Sequence, residues 1–290
     1  MTQRSERSAR PARPARREPR NVAGLLAELR ERGFTGAAFV EGSPGGTVHL
    51  RDGLVCAVQT PAAPGADVLL LKSRRIAEPD WEAACADGGH GGHGDLGAAL
   101  RGLGLIGAAE LSVLTTAVLF DGAFALALHR PEGWRVEEGV PEPRLFDVPG
   151  IEPERLTATT SRRLALLTEL WGPPGELART VVRPSSRAGA AIARLSPRHR
   201  DILLCADGRR TPRDIAFTLG RGVFPVMVDL ARMNAQQLLA HDSAPAAPAP
   251  VPNLAPRGPG MTPDRSVATD ALPRRAQGGG QPRGGKRSGR

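Results

Sequence analysis

The chain has 290 residues, 24% of them charged and 3% aromatic, with a formal net charge of +9. That length allows about two domains. The first twenty residues hold seven Arg and two Glu, and residues 241–290 hold eight Lys or Arg and three Asp, so residues 21–240 are close to neutral. The basicity belongs to the ends, which weakens the usual step from a high isoelectric point to a basic, nucleic-acid-binding folded surface.

In chain order, residues 1–20 are Arg-, Pro- and Ala-rich and read as a disordered basic tail. Leu25, Leu26 and Leu29 then make an apolar stripe on a short helix closed by Gly33. The period changes over Phe34 to Val58. Short β-type runs joined by Gly42-Ser43-Pro44-Gly45-Gly46 and by Asp52-Gly53 predict a three-stranded meander over 35–41, 46–51 and 54–59.

Beyond a Pro/Gly break, residues 67–81 align with 97–111 at a period of 30. Leu70 matches Leu100, Ile76 matches Ile106, Asp80 matches Glu110 and Trp81 matches Leu111. Each copy reads as helix, turn and helix. Two copies are too few for a solenoid, so a four-helix cap on the sheet is expected. The apolar run Leu105 to Leu128 is broken by Glu110 and Asp121 and reads as a buried helix, not a membrane span.

Trp134-Arg135-Val136 reads as a short strand, Pro131 to Pro153 as loop and Arg155 to Leu170 as an amphipathic helix. Gly172-Pro173-Pro174-Gly175 stops that helix, and a domain boundary is expected between there and Ser196. Residues Leu195 to Ala240 carry the sharpest local signals. Ser196 and Thr211 are natural N-caps, with Pro197 and Pro212 at the first helical position. Gly208 and Gly220 stop the first two helices, and a longer helix closes the segment. This is a helix-turn-helix plan. Residues 241–290 are Pro-, Gly- and Arg-rich and read as a second disordered tail.

Two stretches carry family resemblances. Phe34-Thr35-Gly36, followed by a hairpin and by Arg51-Asp52-Gly53 between two strands, resembles the PatA-type N-terminal (PATAN) domain of bacterial regulatory proteins. The likeness to actinobacterial members runs over about 21–240. It implies a signalling or docking module without enzymatic activity. The 30-residue repeat also resembles the cyclic-di-GMP-binding domain of secretion and pilus ATPases. Where that family has paired Arg-Leu-Gly helix starts, this chain has Gly65-Ala66-Asp67 and Asp95-Leu96-Gly97. Without those arginines, nucleotide binding by that mode is not expected. Asp207-Gly208-Arg209-Arg210-Thr211, between two helices, resembles winged-helix modules of regulators and of peptide-binding chaperones.

The candidate chemistry is sparse. If residues 195–240 bind DNA, the contacts are Arg198, Arg200, Arg209, Arg210, Arg213, Arg221 and Arg232, reaching phosphates and base edges. The third helix is apolar for a DNA reader, so its Val223, Met227 and Met233 are the alternative, a face for a protein partner. Gly102-Leu103-Gly104-Leu105-Ile106-Gly107 spells a dinucleotide fingerprint but follows a helical run, so it reads as an inter-helix turn. Cys85, Asp87, His90, His93 and Asp95 form a metal-like group set in glycines, which reads as a flexible linker. Asp52 reads as a turn cap. Arg162-Arg163 reads as a solvated helix face, with pairing to acids of the repeat as the alternative. Cys56, Cys85 and Cys205 show no paired spacing and fit reduced thiols.

The expectation is therefore an α+β protein with a PATAN-like domain over 21–185, a winged-helix-like domain over 186–240 and basic tails. It is read as a cytoplasmic, non-enzymatic regulator with no cofactor, metal or membrane partner. DNA binding, as a transcriptional regulator, is the first function. A signalling adaptor holding a protein partner is the second, and a homodimer is compatible with either.

Overall fold

The computed structural model describes residues 21–88, 95–141, 143, 145 and 150–241. Both basic tails, and with them His90 and His93, lie outside the described residues. The architecture is α+β, with a four-stranded antiparallel sheet, a helical repeat and a helical C-terminal module.

Helix α1 (Val22–Glu31) starts where the Asn21 side chain accepts from the Gly24 amide, and it buries Leu25, Leu26 and Leu29. The meander follows at β1 (Gly36–Glu41), β2 (Gly46–Arg51) and β3 (Leu54–Gln59). Asp52 and Gly53 have φ of +50° and +76°, the double left-handed turn that an Asp-Gly pair favours between twisted strands. The Asp52 amide donates to Thr35 Oγ1 at 2.9 Å and the Gly53 amide to the Phe34 carbonyl at 2.8 Å. The two motifs that look separate in sequence thus lock onto each other.

The expected short strand at Trp134 is β4 (Gly133–Glu138), and it joins this sheet beside β1, giving the order β3-β2-β1-β4. Gly36 makes that pairing possible. A Cβ there would sit 2.2 Å from the Glu137 carbonyl oxygen, and the φ of +150° also favours glycine.

The repeat forms α2 (Ala66–Lys72), α3 (Glu78–Asp87), α4 (Leu96–Gly102) and α5 (Ala108–Ala127). Its period is visible in the backbone. The Arg75 amide bonds the Leu70 carbonyl and the Leu105 amide bonds the Leu100 carbonyl, 30 residues on. Arg74 and Gly104 share the left-handed conformation at that turn, with φ of +60° and +68°. The fingerprint-like glycines therefore serve a helix-to-helix turn. Leu70, Ile76, Ala84, Leu96, Leu100, Ile106 and Leu111 bury against one another as a small separate core.

Helix α5 is the one described helix long and apolar enough to cross a membrane, and 44% of its apolar window is buried within the fold. It reaches beyond the repeat. Leu119 and Phe120 enter the sheet core, and Phe124 and Ala125 enter the C-terminal core.

After α6 (Pro153–Leu170) come α7 (Pro174–Arg179), β5 (Val182–Pro184), α8 (Ala188–Ala191) and a 3-10 turn over Ile192–Arg194. The boundary expected in this stretch is crossed by packing. Leu177, Val182 and Ala188 belong to the same core as Phe124, Leu167 and the last three helices. Those helices are α9 (Pro197–Cys205), α10 (Pro212–Leu219) and α11 (Val223–Ala235), followed by β6 (Leu239–His241).

The caps are where the residues place them. Ser196 accepts from His199, and Thr211 with Asp214 makes a reciprocal capping box. Gly220 closes α10 in the left-handed conformation. Helix α9 ends at Cys205, ahead of Gly208, and α11 ends at Ala235, short of the end of the segment at Ala240. Among the described residues no hairpin wing follows α11. Instead β6 pairs antiparallel with β5, clasping the two ends of the module together.

Candidate functional site

The third helix of the C-terminal module lies inside the protein. Val223, Val226, Met227, Val228, Asp229, Leu230, Ala231 and Met233 of α11 are all buried. They pack with residues of α5, α6, α9 and α10 in one core. Val223, Met227 and Met233, expected as a docking face, are therefore core side chains. The stripe is apolar because it packs on these four helices and on β6, not because a partner meets it. Arg232 and Ala235 are the exposed side chains of the helix. Base readout asks a helix to admit its side chains to base edges, and the buried side of α11 is closed to that.

The seven arginines expected at DNA divide into two groups. Arg198 is ion-paired to the buried Asp229 of α11, with His199 Nε2 3.5 Å from the same carboxylate. Arg221 Nη2 is 2.8 Å from Asp201 and also donates to the Arg198 carbonyl. Arg210 is 3.5 Å from Asp207, and Arg213 donates to the Pro61 carbonyl at 2.8 Å. These four hold the module together and hold it to the loop before α2. Arg200, Arg209 and Arg232 are exposed and make no ion pair among the described residues. They do not lie on one helix, and the exposed Leu204 (69%) sits one turn after Arg200 on α9.

Asp207 and Asp214 serve the turn between α9 and α10. Amides of Arg209 and Arg210 donate to the Asp207 carboxylate and hold it below its ordinary range. Burial pulls the Asp214 carboxyl up, but the amide and hydroxyl of Thr211, aided by Arg213 and Arg210, hold it down overall. The Cys205 thiol is pushed up by burial, which makes it a poor nucleophile.

The buried polar centre of the molecule has no motif to announce it. Asp121 on α5 is 4% exposed, and its carboxylate accepts from the Val223 amide at 2.6 Å and the Phe224 amide at 2.9 Å. It caps α11 from another part of the chain, at the positive end of the helix. A Cβ on Gly222 would stand 3.1 Å from that carboxylate, so glycine lets it close in. Burial pushes the Asp121 pKa up, against the two amides and Arg163.

Arg163 of α6, expected on a solvated face, is half-buried there. Its guanidinium lies 4.7 Å from the Phe224 ring centroid and 5.8 Å from that of Phe120. Burial lowers its pKa and the Asp121 charge opposes that. Arg162 stays exposed. An Asp inside an apolar helical run was the signal, and only the fold shows what it meets.

A cleft of about 710 Å³ lies between β3, the loop into α2, and helices α2, α3, α4 and α5. Its size falls in the range of small-molecule sites, roughly 300–1,000 Å³. Val58, Trp81, Leu96, Val118, Leu119 and Leu145 wall it. Gly65 stands where the cyclic-di-GMP-binding pattern has its arginine, and Asp67 two residues on lines the cleft with a charge that disfavours a phosphate. Of the metal-like group, Cys85, Asp87 and Asp95 are described, and Asp95 caps α4 through the Ala98 amide. No group of three or more metal-binding side chains occurs among the described residues. Compared with protein-family models, with curated proteins and with solved structures, the chain matches none.

Proposed function

We propose that this protein is a non-enzymatic regulatory adaptor whose C-terminal helical module engages a protein partner in place of a DNA sequence. The observation that carries this reading is the enclosure of α11. A reader helix must offer polar side chains to base edges. This helix offers its side chains to α5, α6, α9 and α10, and spends Asp229 on Arg198 and His199. The outer side of α9 is left to meet a partner, with the exposed Leu204 and the cation of Arg200 on one stripe. An acidic protein segment with an apolar side chain complements that surface. The docked Phe34-Thr35-Gly36 and Arg51-Asp52-Gly53 motifs support the PATAN-like reading of the N-terminal part, itself a docking module in the family it resembles.

DNA remains the second reading, on the strength of Arg200, Arg209 and Arg232. The test is fluorescence anisotropy of the full chain with mixed DNA fragments across a salt series. The expected binding is weak, indifferent to sequence and removed by physiological salt. Sequence-selective binding that survives physiological salt and is lost in Arg232→Ala overturns the adaptor reading.

A further inference from the structure

We propose that the cleft between β3 and the first copy of the repeat is a binding site for a small apolar amine, with an aromatic body inside and a cationic head at Asp67. Its occupancy does not depend on what the C-terminal module binds.

The body of the cleft asks for an apolar guest. Three of the polar side chains on its walls bond within the protein. Thr115 Oγ1 donates back to the Leu111 carbonyl at 2.9 Å, Cys56 Sγ donates to the His49 carbonyl at 3.3 Å, and Gln59 Oε1 lies 3.0 Å from His49 Nε2. The larger share of what a guest meets is apolar: Val58, Val118, Leu119, Leu96 and the half-buried ring of Trp81. An indole face of this kind accepts a planar ring by offset or edge contact. The volume of about 710 Å³ exceeds that of a bicyclic ring system, so the guest enters without forcing the walls.

Selection of the head comes from charge. Asp67 is the one formally charged residue among the described lining residues. It is exposed and makes no ion pair among the described residues. Its carboxylate folds back at the start of α2, with Oδ1 2.5 Å from where a Cβ on Gly65 would stand. Gly65 therefore allows this carboxylate to lie against the backbone at the cleft wall. An ammonium head placed there gains an ion pair, and a carboxylate head meets a like charge beside an apolar surface of low polarisability.

The test uses three probes sharing one body: 1-naphthylmethylamine, 1-naphthylmethanol and 1-naphthoate, titrated calorimetrically into the full chain at pH 7. The expected order of affinity is amine, then alcohol, then acid, with about threefold to tenfold between amine and alcohol for a partly exposed ion pair. Asp67→Asn brings the amine to the alcohol's affinity and leaves the alcohol unchanged. Gly65→Ala, which displaces the carboxylate without touching the apolar walls, lowers the amine's advantage in the same way. Trp81→Ala weakens all three probes, and Trp81→Phe, which keeps a ring and the fold, retains them. Equal binding of the three heads, or an amine preference untouched by Asp67→Asn, overturns the selection by charge. Absence of binding by every probe, or binding unaffected by Trp81→Ala, overturns the site.

Discussion

The two copies of the 30-residue repeat share a period and have different tasks. In the first copy the second helix, α3, has ten residues and buries only Ala84. In the second copy the matching helix, α5, has twenty residues and buries eight of them, Leu111 and Asp121 included. Trp81 and Leu111 occupy the same place in the two copies. Leu111 is fully buried in the repeat core, and Trp81 is half-buried on the wall of the cleft. The second copy joins three cores together, and the first is left with an open face. The longer helix, about three turns more than its counterpart, is the one committed to structure.

The widest separation between the copies is expected at that matched pair. Leu111→Ala should cost about 2–5 kcal/mol, the range for emptying a fully packed leucine site. Trp81→Ala should cost clearly less, because part of its ring is already wet. Urea unfolding of the two variants checks this, and equal losses would erase the distinction drawn between the copies.

Asp121 comes next, since it marks where the lengthened helix meets α11. Asp121→Ala removes the carboxylate that accepts from the Val223 and Phe224 amides and leaves Arg163 without its charge partner, a loss of about 3 kcal/mol. Its pH signature has a definite sign. Burial raises the folded pKa above the ordinary carboxylate value. The stability contributed by Asp121 is therefore complete below the unfolded pKa and is lost as pH rises through the folded one. Unfolding midpoints of the native chain should fall, relative to Asp121→Asn, as pH climbs from about 4 through the folded pKa. A flat difference between the two would show that the carboxylate does not titrate out of step with the unfolded chain.

The shared turn of the repeat gives a smaller and symmetric effect. Arg74 holds a left-handed conformation that the second copy gives to Gly104, and nothing lies within 4 Å of a Cβ built on Gly104. Gly104→Ala should therefore cost about 1 kcal/mol from backbone strain alone. Arg74→Gly should gain up to about 1 kcal/mol if relief of that strain outweighs the added freedom of the unfolded chain. Thermal melts of the two single variants measure both.

The copies also show where sequence is readable. Local signals worked where the partner is near in the chain. The Asp-Gly turn, the Ser196 and Thr211 caps and the 30-residue period all act within a few residues, and each sits where expected. Long-range meetings were illegible. Trp134 read as a strand, but nothing nearby says that β4 pairs with β1, and the reason lies at Gly36, about a hundred residues earlier. The apolar stripe of α11 is the same stripe for a docking face and for a core, and periodicity cannot separate them. Asp121 read only as a break in an apolar run and Arg163 as a solvated helix face, because their common partner, the start of α11, is supplied by folding. The cleft is built by β3, the loop before α2 and four helices, so no single segment carries its signature.

The smallest expected effect is at the link between the copies. Arg75 of the first copy grips Glu110 of the second through two bonds of 2.6 and 2.7 Å, and reaches the Leu105 carbonyl at 3.1 Å. The grip is one-sided, because the position matching Arg75 in the second copy is Leu105 and leaves Asp80 without a counterpart. The hydrogen bond from Arg75 lowers the Glu110 pKa against its slight burial. A lowered carboxylate stabilises above its unfolded pKa and loses that contribution as pH falls through the folded value, the opposite of Asp121 on the same helix. Both side chains are near half exposed, so water and salt screen most of the attraction. Glu110→Gln should therefore shift the melting temperature only slightly at neutral pH, less still in high salt, and not at all once pH drops below the folded value. A large loss that persists at low pH would mean that Glu110 holds the copies together by packing and not by charge.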